Sequence, residues 1–111
     1  MARQNVPVTI EGLEFKCTHI DDADFGNIAA IYVILCVSSD SKTRVLDVGE
    51  TGELGDRIRN HDRKDCWETH CENNNIWICV YPMPSAQFSK QDRLDVEAGI
   101  RRKYDPPCGD R

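Results

Sequence analysis

The chain has 111 residues, 40% of them hydrophobic and 30% charged, and a formal net charge of -5; this is the make-up of one soluble globular domain, too small for two cores. No apolar run approaches the roughly 20 residues of a membrane span, and the start Met1-Ala2-Arg3-Gln4-Asn5 lacks the apolar segment of a secretory signal, so no membrane association and a cytoplasmic location are expected. The acidic balance weighs against a strong non-specific nucleic-acid binder, which needs many cationic contacts to phosphate, but it leaves room for a local basic site at Arg57, Arg59, Arg63 and Lys64.

Residues Met1 to Asn27 read as an N-terminal extension of one or two strands packing on the domain, which itself runs from Ile28 to Arg111. Ile28 to Val37 is almost wholly apolar and β-branched, the pattern of a central strand buried on both faces. The polar run Ser38 to Thr43 turns the chain into a second strand, Arg44 to Val48. Gly49-Glu50-Thr51-Gly52 closes that strand, with Thr51 as N-cap of a short helix on which Leu54, Arg57, Ile58 and His61 share one arc. A short helical segment before Asn73-Asn74-Asn75 is followed by a third strand, Ile76 to Tyr81, stopped by Pro82 and Pro84. Ser89-Lys90-Gln91-Asp92 has the form of a capping box and opens a helix to about Tyr104, ended by Asp105-Pro106-Pro107. Glu97 lies between Leu94 and Ile100 on its apolar arc, where a carboxylate is costly unless it is paired or coordinated; Arg57, Arg93 and Arg101 are the candidate partners. Of the two tryptophans, Trp77 is expected in the core and Trp67 packing the short helix down.

Ala30-Ile31-Tyr32 and Asp47-Val48-Gly49, followed by Glu50-Thr51-Gly52-Glu53-Leu54, Arg57 and His61, then Glu97 and the ending Pro106-Pro107-Cys108-Gly109, resemble in order and spacing the GIY-YIG nuclease family. Ala stands for the Gly of the first tripeptide, and Asp47 for the tyrosine of the second. The resemblance implies an α/β (α+β) fold, a small three-stranded antiparallel sheet flanked by helices. It also implies phosphodiester hydrolysis on DNA by an endonuclease with one Mg²⁺ or Mn²⁺. Glu97 would hold the ion, a hard cation that prefers oxygen ligands. Arg57 would clamp a phosphate oxygen, Tyr32 would act as base or position water, and His61 would orient Tyr32 or assist proton transfer.

Asp47 leaves three alternatives: a second carboxylate for the metal, an ion pair with Arg44, Arg57 or Arg59, or a side chain turned away by a one-residue register shift. A domain of this size would draw its DNA specificity from dimerisation or a partner chain. The alternative function is a catalytically inactive module of the same fold that binds nucleic acid or a protein.

With no secretory signal, Cys17, Cys36, Cys66, Cys71, Cys79 and Cys108 are expected as reduced thiols, Cys36 and Cys79 serving as small hydrophobes in strands. His61, Cys66, His70 and Cys71 lie within eleven residues, but without a C-x-x-C pair a zinc site is the weaker reading.

Overall fold

A computed structural model of the chain describes residues 6–40 and 42–109. The start Met1 to Asn5, Ser41 of the expected turn and the last two residues of the expected domain lie outside the described residues. The order is β1 (Val6–Ile10), β2 (Leu13–His19), a 3₁₀ turn (Ile20–Asp22), β3 (Ala30–Val37), β4 (Thr43–Thr51), α1 (Leu54–Arg59), α2 (Lys64–Thr69), β5 (Ile76–Pro82) and α3 (Lys90–Tyr104). The strands form one antiparallel sheet in the order β1-β2-β5-β3-β4. The expected α+β class holds, but three strands is an undercount. The N-terminal segment forms two strands, as many as the sequence allowed; β2 pairs with β5, and the β1/β2 hairpin extends the sheet. No described helix is long and apolar enough to cross a membrane.

Two cores follow from the pleat. Along β3, alternate side chains point to opposite faces. Ala30, Tyr32 and Ile34 meet Leu54, Ile58 and Trp67 on the α1/α2 face, while Ile31, Val33 and Leu35 meet Ile100 and Val96 on the α3 face. This is why β3 reads as a continuous apolar run: the sheet is covered on both sides. The capping box forms as the sequence suggests, Ser89 Oγ accepting from Asp92 N–H at 3.1 Å while Asp92 accepts from Ser89 N–H at 2.9 Å.

Three expectations need correction. Thr51 does not cap α1; it ends β4, and its hydroxyl accepts from Glu53 N–H at 2.9 Å. The amide at α1's start is met instead from a distant loop, Asn27 Oδ1 accepting from Asp56 N–H at 2.8 Å. His61 is not on α1, which ends at Arg59 with Asn60 as C-cap. Finally, the six cysteines are not free: Cys17–Cys79, Cys36–Cys71 and Cys66–Cys108 are disulfides. The first staples β2 to β5 at directly opposed positions. The second ties β3 to the residue beyond α2, and the third ties α2 to the C-terminal tail. Neither composition nor the even count distinguishes a thiol buried beside nothing from one buried beside another thiol; only the pairing of β2 with β5 and the docking of the tail bring partners together.

Candidate active site

The centre of the candidate site is Tyr32, whose position is fixed by a glycine. Tyr32 and Gly49 are register partners on β3 and β4. The ring lies so close over Gly49 that a Cβ there would stand 2.2 Å from Cζ of Tyr32. Tyr32 is 1% exposed, and its hydroxyl is 2.7 Å from Nε2 of His61. His61 reaches it because the chain leaves α1 at Asn60 and turns inward, its ring packing at 4.6 Å between centroids, tilted by 48°, against Trp67.

The proton on His61 can be assigned from its partners. Burial, then the positive charges of Arg57 and Arg63, push its pKa from 6.5 down to about 4, so the ring is neutral at pH 7. Nδ1 accepts the backbone N–H of Arg63 at 3.1 Å and therefore carries no proton. The single proton sits on Nε2 and is donated to the Tyr32 oxygen. His61 thus orients Tyr32 and would stabilise a phenolate, but in this state it cannot receive the phenolic proton. Burial pushes the Tyr32 phenol above its ordinary value, while the Arg57 guanidinium beside it pulls the other way. Arg57 is held by Asp62 at 3.3 Å and is partly exposed.

Asp47 takes the ion-pair alternative, but with arginines other than those expected. A β-bulge sets its direction. Ile34 pairs with Asp47 and Leu35 with Val45, leaving Leu46 as the extra residue. The bulge turns Leu46 and Asp47 toward the same α1/α2 face, where Leu46 joins the Trp67 cluster. Asp47 is 0% exposed and accepts from Arg63 Nε at 2.8 Å, Trp67 Nε1 at 2.8 Å and Arg101 at 2.7 Å. Arg101 comes from α3 around the open edge of β4, where it also donates to the carbonyls of Val48 and Cys108. With both oxygens occupied by cationic donors, Asp47 has no lone pair left facing a ligand.

Glu97 stands apart from the tyrosine. It is on α3, half-buried, and pairs with Arg101 at 3.8 Å, one of the three arginines the sequence offered. Burial pushes its carboxyl above its ordinary value, with Arg101 opposing and Glu50 adding to the rise. No hydrogen bond links Glu97 to Tyr32, Arg57 or His61 among the described residues; Arg101 connects it to the cluster. Tyr32, His61 and Arg57 are therefore brought together directly, Asp47 joins them through Arg63 and Trp67, and Glu97 through Arg101. Sequence reasoning missed Arg63, Arg101 and Trp67 as partners of Asp47. The signal for Arg101 was its i,i+4 spacing from Glu97; for Trp67 there was none.

Glu97, like Asp62, accepts no hydrogen bond from another described residue, its tie to the cluster being the 3.8 Å pair with Arg101. That suits a hard divalent ion that keeps most of its own waters. The described acids, histidines and cysteines form one group close enough to share an ion, and it is elsewhere: Cys66, His70 and Cys108. Models of protein families, known proteins and solved structures give no match to the chain.

Proposed function

We propose that the chain is a metal-dependent DNA endonuclease of the GIY-YIG type, acting through Tyr32, Arg57, His61 and Glu97 and not through Asp47. The observation that carries this reading is the 2.7 Å bond from His61 to Tyr32 with the Arg57 guanidinium beside the phenol. A buried phenol whose oxygen already accepts an N–H leaves its own proton free for exchange with an attacking water. Tyr32 would therefore orient the attacking water through its O–H, not deprotonate it: as the water oxygen bonds to phosphorus and the P–O bond to the sugar breaks, the water's proton is released to solvent and the leaving oxygen takes up a proton from solvent. Arg57 would neutralise charge gathering on the phosphate oxygens. A divalent ion held at Glu97 would supply Lewis-acid polarisation of the phosphate.

Two observations favour the second reading, a catalytically inactive module of the same fold. Tyr32 is 1% exposed, and Asp47, at the position of the second tyrosine, is consumed by the fold. Nicking of supercoiled plasmid in Mn²⁺ by the oxidised protein separates the two. Nicking that vanishes in Arg57→Ala and in Glu97→Ala supports the enzyme; no nicking by the wild type with either Mg²⁺ or Mn²⁺ supports the module. A cytoplasmic setting fits either reading only with the disulfides opened, because the cytosol keeps thiols reduced.

A further inference from the structure

We infer that Cys66, His70 and Cys108 form a zinc site in the reduced protein, replacing the disulfide that ties the C-terminal tail to α2 in the oxidised protein. The inference rests on a juxtaposition independent of the phosphodiester reading. The sulfurs of Cys66 and Cys108 and a ring nitrogen of His70 all lie within 4.8 Å of one another. Cys66 and His70 are four residues apart across α2 and its C-cap, so they project from one side of the helix end. Cys108 arrives from the tail and is held there independently of sulfur: its N–H donates to Leu46 O at 3.0 Å, and its carbonyl accepts from Arg101 at 3.1 Å. Its backbone therefore stays near α2 when the disulfide opens.

The chemistry suits zinc. With Zn–S about 2.3 Å and Zn–N about 2.0 Å, tetrahedral ligand atoms stand roughly 3.5–3.8 Å apart. The two sulfurs need only swing apart by side-chain rotation to reach that spacing. Two thiolates and an imidazole are a soft, nitrogen-containing set that selects zinc over magnesium or calcium. Three protein ligands leave the fourth position to water. His70 is exposed, and no hydrogen bond or ion pair engages its ring among the described residues. Of the other residues that the sequence suggested, His61 is engaged with Tyr32, and Cys71, which reduction would also free from Cys36, lies outside the group of mutually close ligand atoms. The reductant is a thiol pair: the S–S bond breaks, two electrons and two protons pass to Cys66 and Cys108, and the reductant closes to its own disulfide. Zinc then displaces the two thiol protons. The tail is thereby cross-linked to α2 by sulfur in oxidising surroundings and by metal in reducing ones.

The test is zinc binding by the full chain against a chromophoric chelator, with and without reduction by a phosphine, and Co²⁺ as a spectroscopic probe. The expected result is one zinc per reduced chain, none per oxidised chain, and a thiolate-to-Co²⁺ charge-transfer band on reduction. His70→Ala, at an exposed position that leaves the fold intact, should weaken binding by at least the roughly tenfold that even an outer-shell partner costs. Cys108→Ser should remove the band, while Cys36→Ala with Cys71→Ala should keep it. No zinc on the reduced wild type, equal binding by the oxidised chain, or binding indifferent to both His70→Ala and Cys108→Ser overturns the site.

Discussion

Replacing Asp47 by Asn tests whether the site is built around a buried charge cluster. Asp47 is 0% exposed and receives three donors between 2.7 and 2.8 Å, two of them guanidinium groups. Asn keeps the shape but offers one acceptor oxygen, and its NH₂ then faces a donor. Arg63 loses its anion, and Arg101 keeps only Glu97 at 3.8 Å. Breaking a buried ion pair costs about 3–5 kcal/mol. The Arg63 and Arg101 side chains keep 21% and 15% of their exposure and so recover some hydration, which sets the expectation at the lower end, about 3 kcal/mol. For a domain of this length that lowers Tm by at least about 12 °C, at about 4 °C or more per kcal/mol. Urea unfolding at pH 7 with the disulfides intact reads it as a lower midpoint at unchanged slope. A loss below about 1 kcal/mol would refute the reasoning, because it would give the cluster the value of a solvent-screened surface pair. By the same logic Asp47→Tyr, which restores the residue that the family resemblance would place there, should destabilise the protein instead of repairing it: a ring must enter fully buried space, and both guanidiniums lose the Asp47 carboxylate.

The remaining predictions address neighbouring parts of the same structure. Gly49→Ala puts a Cβ 2.2 Å from the Tyr32 ring, so the ring must move; the expected cost is about 1–3 kcal/mol, and a change in Tyr32 fluorescence or ring NMR shifts should accompany it, whereas an unmoved ring would contradict the packing. His61 has a folded pKa depressed to about 4 from 6.5, so the unfolded state binds more protons between those values and stability rises with pH through that window. The contribution is complete above about pH 6.5 and is lost as pH falls toward 4, a difference of about 3 kcal/mol at about 1.4 kcal/mol per unit; between pH 4.5 and pH 7 the unfolding free energy of the wild type should rise by about 2.5 kcal/mol more than that of His61→Gln, and parallel profiles would dismiss it. Tyr32→Phe leaves His61 Nε2–H buried without its acceptor, an expected cost of about 1–3 kcal/mol, and if the nuclease reading holds it also removes nicking. The disulfides span sequence separations of 62, 35 and 42 residues, each worth about 4 kcal/mol in the chain-entropy account, so reduction in the presence of a zinc chelator should lower the urea midpoint steeply; an unchanged midpoint would mean that the bridges constrain nothing.

The sequence by itself determined the elements that depend on local pattern. The apolar run of β3, the strand after Asn73-Asn74-Asn75, and the helix opened by Ser89 and Asp92 were legible because alternation, turn residues and a capping box act within a few positions. Tyr32 and Arg57 were named as candidates through the family resemblance, which rests on two tripeptides and the spacing after them and not on local alternation. Three things were decided only by tertiary structure. The β-bulge at Leu46 chose the face to which Asp47 points, and a single inserted residue leaves no mark in the alternation of so short a strand. The pairing of β2 with β5 joined the expected N-terminal strands to the sheet and set Cys17 against Cys79, a contact between residues 62 apart. Arg101 reached Asp47 by passing around an edge that exists only once the sheet and α3 are assembled. Each of these joins residues far apart in the chain, and their partners are chosen by packing, to which local propensity is blind.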